Sequence, residues 1–320
     1  MNEESPHIVF ADHFDEASVA RASEAGRITV VDSADTSELL RVLPDADALL
    51  VRTRTSVTRE LMASAPKLRV IGRGGVGLDN IDVTCAAERG ITVVHTPEAG
   101  TDSVADLTLG LMLALVRELR DADLAARSDR YASFRSGQRV RELHELTIGI
   151  VGMGRIGRAV ARRCRAGFGC RVIYHDIVDV GLLEVCAEPV SRATLYQSSD
   201  VISLHVPLTP LTRGMIDGEA LSRCRPGCLL INTSRGAVVD SRALALALSE
   251  QRLGGAALDV LDVEPPPRNH PILAAPNCIL TPHVGARSIL ALDRMNAVVD
   301  DVIRVLRGAR PHHAFRPEVT

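Results

Sequence analysis

A guanidinium, a carboxylate and an imidazole, Arg235, Glu264 and His283, each follow an apolar, strand-like run in the carboxyl-terminal half of the chain. Arg235 comes after Cys228-Leu229-Leu230-Ile231-Asn232-Thr233-Ser234, Glu264 after Ala256-Ala257-Leu258-Asp259-Val260, and His283 after Cys278-Ile279-Leu280-Thr281-Pro282. The planar fork of an arginine holds a carboxylate through two hydrogen bonds, a task lysine does poorly. An imidazole exchanges protons near neutral pH, and a nearby carboxylate orients it and favours its charged form. Together the three suit an enzyme that grips a small anion and moves a proton on it. Each also has a plain reading: a solvated arginine, a loop glutamate before Pro265-Pro266-Pro267, a histidine that caps a helix. Three suitable types at three strand ends favour the chemical reading, because ligands of open parallel sheets bind outside the carboxyl ends of the strands.

A second constellation is Gly152-Met153-Gly154-Arg155-Ile156-Gly157, preceded by the strand-like Thr147-Ile148-Gly149-Ile150-Val151 and followed by a helix-compatible run, Arg158 to Ala166. Gly152 makes the tight turn, Gly154 lets the backbone approach a pyrophosphate, and Gly157 lets the helix pack closely on the strand. A helix N-terminus then faces the phosphates. Asp176, after Val172-Ile173-Tyr174-His175, lies where a carboxylate binds the ribose 2′-hydroxyl and repels a 2′-phosphate; Ile177 follows in place of a phosphate-binding arginine, so NAD is expected over NADP.

The elements that must position these groups come in two series. In the first hundred residues Ile8-Val9-Phe10, Ile28–Val31, Ala48–Val51, Leu68–Ile71 and Ile91–Val94 read as strands, alternating with helical stretches at Phe14–Ala25, Ser37–Leu43, Thr58–Ala63 and Asn80–Arg89. The second series has strands at Thr147–Val151, Arg171–Tyr174, Val201–Leu204, Leu229–Asn232, Ala256–Val260 and Cys278–Leu280. Two longer helical segments join the series: Thr101 to Asp121, apolar on nearly every side and so expected between domains or subunits, and Ala286 to Leu306, ended by Gly308 and Pro311. The expected fold is α/β: a doubly wound Rossmann sheet plus a second, flavodoxin-like lobe, with a cleft between them. The lobes would be discontinuous, residues 1–100 and 289–320 forming a substrate-binding domain and 101–288 the dinucleotide-binding domain.

The bulk numbers narrow the function classes. A net charge of -3 gives nucleic-acid binding no electrostatic support, and an aromatic content of 2% without Trp offers no stacking platform for bases. The longest apolar stretch, Leu107 to Val116, is short of the roughly 20 residues of a membrane span. No apolar leader follows Met1, and seven dispersed cysteines suit a reducing cytoplasm. Cys224 and Cys228 flank a Pro226-Gly227 turn and are not expected to hold a metal. Of the other histidines, His7, His13, His95, His144, His270, His312 and His313 are expected at the surface, and His205, ending a strand in His205-Val206-Pro207-Leu208-Thr209, lining the cofactor side.

With these motifs in order, the chain resembles the D-isomer-specific 2-hydroxyacid dehydrogenases, and most the D-3-phosphoglycerate dehydrogenases among them. Further matches are Gly72-Arg73-Gly74-Gly75-Val76-Gly77-Leu78-Asp79-Asn80-Ile81-Asp82, Ser103-Val104-Ala105-Asp106, Asn232-Thr233-Ser234-Arg235-Gly236 and Thr281-Pro282-His283-Val284-Gly285. The resemblance implies that Arg235 binds the substrate carboxylate and that Glu264 and His283 handle the proton. It places Arg155 and Ile156 at the pyrophosphate, Asp176 at the ribose, and Thr209, Thr233 and Asp259 on the nicotinamide side with Gly285 close by; His205, Val206, Pro207, Ser234 and His283 are expected as further cofactor contacts. Gly74, Gly75 and Val76 would present backbone to the substrate, a small anionic 2-hydroxy or 2-keto acid, and Arg52 and Arg73 would hold a substrate phosphate if there is one. It further implies a homodimer through the Thr101–Asp121 region, and the end at Thr320 leads to the expectation of a short form without a regulatory domain. Gly100 stands where Asn is common, Asp106 where Glu is, and Ser56 where Lys is frequent, which leaves the acid's side chain open. Glyoxylate or hydroxypyruvate reduction and phosphite oxidation fit the same triad, and an NADH-sensing, corepressor-like binding protein is the reading from another class.

Overall fold

A computed structural model describes residues 5–31 and 36–315. The chain divides into two compact units, one of Met1–Gly100 with Arg287–Thr320 and one of Thr101–Ala286. The first is built on five parallel strands, β1 His7–Phe10, β2 Arg27–Val30, β3 Ala48–Val51, β4 Val70–Arg73 and β5 Thr92–His95, in the order β2-β1-β3-β4-β5. The second is built on seven, β6 Thr147–Val151, β7 Arg171–His175, β8 Glu188–Pro189, β9 Val201–Leu204, β10 Cys228–Asn232, β11 Leu253–Leu258 and β12 Cys278–Leu280. Their order is β12-β11-β10-β9-β6-β7-β8, again all parallel. These are the two α/β sheets the βα rhythm predicts.

Parallel strands are buried on both faces, which is why they read as unbroken apolar runs. Successive residues feed opposite cores: Leu230 and Ala256 pack with Leu204 and Leu244, while Ile231 and Ala257 pack with Ile150 and Val160. In the first unit Val9, Leu49 and Ile71 face one core, and Ile8, Leu50 and Val70 face the other. The returning helix Val298–Leu306 closes that second face with Val298, Val299, Val302 and Leu306.

Several expectations are corrected. The apolar helix ends at Val116, and a separate helix runs Leu119–Ala126, with Glu118 left-handed between them at φ 52. Ala105, Leu109, Leu111, Met112 and Val116 are buried in the second unit's own core, which accounts for the helix's apolar character. The segment from Ala286 is two helices, Ile289–Asn296 and Val298–Leu306. The two-residue edge strand β8 has no apolar signature and escaped the sequence reading. His7 and His270 are buried, not surface residues: His7 Nε2 lies 2.8 Å from Thr29 Oγ1, and His270 Nε2 lies 3.0 Å from Asp262 Oδ1. Among the described residues no helix is long and apolar enough to cross a membrane.

Candidate active site

The strand order sets neighbours at one sheet edge. β10, β11 and β12 lie side by side, so the loops that follow them bring Arg235, Glu264 and His283 to adjacent positions. His283 Nδ1 is 2.8 Å from Glu264 Oε2. The other oxygen, Oε1, accepts from the Leu261 amide at 2.9 Å. Burial disfavours the Glu264 charge, yet the bonds from His283 and Leu261 and the positive charge of Arg235 outweigh it, and its pKa lies below the ordinary glutamate value. The site is open enough for a reactant: the side chains of His283 and Glu264 keep 35% and 38% of their surface exposed.

Local backbone bonds explain why these side chains point where they do. His283 is left-handed at φ 54, its amide donating to Asp259 O at 2.8 Å and to Thr281 O at 3.0 Å. The Asp259 side chain is buried and collects three more bonds from the same turn, from Thr281 Oγ1 (2.5 Å), the Val284 amide (2.9 Å) and the Gly285 amide (2.8 Å). Asp259 thus ties the β12 loop to the end of β11. Asn232 does the equivalent work beside Arg235: its Nδ2 donates to Arg235 O at 2.9 Å, and its Oδ1 accepts from the Ser234 amide and hydroxyl. Sequence reasoning gave neither residue this supporting role. A buried polar residue at the end of an apolar run was the available signal.

The glycine motif follows β6, in the same row. Gly152 has φ +93, and a Cβ there would lie 2.5 Å from His205 O. At Gly157 it would lie 2.1 Å from Gly152 O, so no side chain fits between helix Arg155–Arg162 and the turn. At Gly154 it would meet nothing within 4 Å, which leaves the helix N-terminus open to a phosphate. Asp176, after β7, reaches back across the strand ends, its Oδ2 accepting from the Met153 amide at 2.7 Å. The turn, the open approach and the carboxylate therefore sit together as a dinucleotide cradle requires.

The remaining expected residues fall on two sides. His205, after β9, bonds Ser203 Oγ through Nε2 at 2.8 Å, and burial pushes its pKa down to about 3, so it is neutral at physiological pH and no proton donor. Thr209 bonds Thr212, and buried Thr233 bonds Thr108 at 2.9 Å. Arg52, Arg73, Gly74, Gly75 and Val76 belong to the first unit. Both arginines are engaged there. Arg52 donates from Nε to His13 O at 2.8 Å and from Nη2 to Asn296 Oδ1, and its guanidinium lies 4.8 Å from the centre of the Phe14 ring. Arg73 is 5% exposed and curls under its own loop, Nη1 donating to Gly74 O at 3.3 Å; a Cβ on Gly75 would collide with it at 1.4 Å.

Residues 109–285 match the family described as D-isomer specific 2-hydroxyacid dehydrogenase, NAD binding domain. The chain is 38% identical over 302 residues to D-3-phosphoglycerate dehydrogenase of Mycobacterium leprae, covering 94% of this chain and 56% of that protein. It thus spans about half the length of that relative. It is 41% identical over 291 residues to glyoxylate reductase of Thermofilum pendens, covering 88% of this chain and 85% of the relative. Among solved structures, D-lactate dehydrogenase from Aquifex aeolicus, complexed with NAD and lactic acid, superposes with a TM-score of 0.85 at 30% identity, covering 94% of this chain and 96% of that one.

Proposed function

Because the chain belongs to the D-isomer specific 2-hydroxyacid dehydrogenase family, we propose that it interconverts a D-2-hydroxy acid and its 2-keto acid with NAD. The observation that carries this reading is the 2.8 Å bond between His283 Nδ1 and Glu264 Oε2, beside Arg235. With Nδ1 directed at a carboxylate, Nε2 is the nitrogen that exchanges the substrate's proton. In oxidation it takes the hydroxyl proton, and Glu264 stabilises the imidazolium that results. In reduction the proton returns to the carbonyl oxygen. Arg235 holds the C1 carboxylate and draws electron density from the carbonyl. NAD, when bound, supplies the hydride acceptor or donor. Gly152, Gly154, Arg155, Ile156 and Gly157 hold its pyrophosphate and Asp176 its ribose.

Arg52 and Arg73 are the cations offered to a substrate phosphate, but Arg73 is 5% exposed and Arg52 is bonded to His13 O, Met295 Sδ and Asn296 Oδ1 within its own unit. A short unphosphorylated acid of the glyoxylate, hydroxypyruvate or lactate kind is therefore the favoured substrate. Initial rates with NADH and glyoxylate, hydroxypyruvate or pyruvate, set against NAD with 3-phosphoglycerate, test this. Turnover of the keto acids is expected; preference for the phosphorylated acid would reverse the substrate assignment. No turnover of any 2-hydroxy or 2-keto acid, with dinucleotide bound, would end the enzymatic reading and favour an NADH-dependent binding role. The protein acts in the cytoplasm, consistent with seven free cysteines. It forms a homodimer through the Thr101–Asp121 region, where Leu119 is about half exposed.

A further inference from the structure

Between Asp259 and Glu264 the β11 loop carries a third acid, Asp262. Asp262 Oδ1 accepts from Ser241 Oγ at 2.6 Å and lies 3.0 Å from His270 Nε2. Ser241 is 8% exposed and His270 7%, while Asp262 keeps 38% of its side-chain surface. Serine, aspartate and histidine in contact invite comparison with a hydrolytic triad, but the order is wrong. The acid stands in the middle, and both partners meet the same oxygen, so no base faces the serine hydroxyl. The cluster must be read for what it holds.

It holds the loop that ends in Glu264. Ser241 opens the helix Ser241–Ser249 and His270 precedes the helical turn Pro271–Ala274, two elements packed in the second unit's core through Leu244, Ala247, Leu248 and Ile272. On its other side the loop lies against Gly236, the neighbour of Arg235. A Cβ on Gly236 would fall 1.9 Å from Leu261 C and 2.3 Å from the Asp262 nitrogen. The backbone at 261–262 is thus pinned between Gly236 and the two core-anchored donors, and the Leu261 amide there donates to Glu264 Oε1. Burial opposes the Asp262 charge, but the bonds from Ser241 and His270 prevail and keep its pKa below the ordinary aspartate value, so it accepts as a carboxylate.

We infer that Asp262, held by Ser241 and His270, is a positioning residue that sets Glu264 against His283. This rests on the reading of Glu264 and His283 as the proton-handling pair. Misplacing a reactive group by about 1 Å costs up to about a hundredfold in rate, so the anchor matters although it touches no substrate.

A double-mutant cycle tests it, with keto-acid reduction by NADH as the readout and NADH binding and thermal midpoint as controls. Asp262→Asn is expected to lower kcat roughly ten- to a hundredfold in the wild-type background. In the Glu264→Gln background it should change kcat by less than about twofold, because the group it positions no longer carries charge. Equal losses in the two backgrounds, or no loss in the first, overturn the inference while leaving the pair intact. Unchanged kcat in Glu264→Gln alone overturns the pair and the inference with it. Should Asp262→Asn not fold, Ser241→Ala takes its place; a loss confined to the background with Glu264 supports the anchor, and an additive loss or none refutes it.

Discussion

Two parallel α/β sheets in one chain use their carboxyl ends differently. In the second unit the polar side chains after β10, β11 and β12 are fixed at their roots, while the imidazole and carboxylate among them keep solvent-facing surface. Asp259 holds the turn of His283, Asn232 holds the carbonyl of Arg235, and the imidazole and carboxylate above them stay more than a third exposed. In the first unit the arginine after β3 and the arginine that ends β4 spend their tips on the unit itself. Arg52 clamps His13 and Asn296, and Arg73 lies beneath Gly74 and Gly75. The same all-parallel arrangement thus presents a solvent-facing polar cluster in one place and a largely buried one in the other. The difference lies in exposure: His283 and Glu264 keep 35% and 38% of their side-chain surface, whereas Arg73 as a whole residue keeps 5%.

Substitutions should separate the two edges by what they damage. The largest effect is expected from His283→Ala, which should lower turnover roughly 10²–10⁴-fold, the usual worth of a positioned acid–base group. NADH affinity and denaturant midpoint should move little, since the side chain is only partly buried and its one bonded partner can turn to water. A stopped-flow trace of NADH oxidation checks the rate; near-normal turnover would remove His283 from the reaction.

Asp259→Ala should damage both properties. It leaves the Val284 and Gly285 amides and the Thr281 hydroxyl without their acceptor, at a site 2% exposed. Each orphaned buried donor costs about 1–3 kcal/mol. Urea unfolding should show a destabilisation of roughly 2–4 kcal/mol, with turnover reduced as the His283 turn relaxes. Full stability with lost activity would instead make Asp259 a direct participant.

Arg52→Ala is the converse of His283→Ala. It removes three hydrogen bonds, to His13 O, Met295 Sδ and Asn296 Oδ1, and a cation–ring contact, so stability should fall by about 1–3 kcal/mol. The ratio of kcat/KM for hydroxypyruvate over 3-phosphoglycerate should stay constant. A selective loss of the phosphorylated substrate would show that the first unit's edge reads the substrate after all.

How much of this was legible beforehand follows from the range of the interactions involved. Strand runs and the glycine motif are local patterns, so both sheets and the cradle of Gly152, Gly154 and Gly157 could be read, and Arg235, Glu264 and His283 stood out as reactive types at strand ends. The break after Val116 could not, because neither Arg117 nor Glu118 is a breaker, yet Glu118 takes a left-handed conformation. Asp259 acts on residues 22 to 26 positions away and Asp262 on Ser241 21 positions away, and at such separations a sequence shows the acid but not its donors. His7 reads as a surface residue for the same reason, its partner Thr29 lying 22 positions away; His270 has its partner Asp262 only 8 positions back, but in a loop with no periodic pattern to mark its burial.

The smallest expected effect concerns acid. Glu264 has a folded-state pKa below its ordinary value, so it binds its proton less readily folded than unfolded. Such a group stabilises the fold above the unfolded value, about 4.3, and that contribution disappears as pH falls through the lower folded value. Glu264→Gln lacks it at every pH. The melting temperature of the wild type should therefore exceed that of the variant near neutrality and approach it as the pH drops below the carboxylate range. Because the carboxylate is partly exposed, solvent screens the pair and the gap should be modest. A gap that stays constant into strong acid would mean that Glu264 contributes through shape and not through charge. That would bring it closer to the first unit's arginines than to its own neighbours.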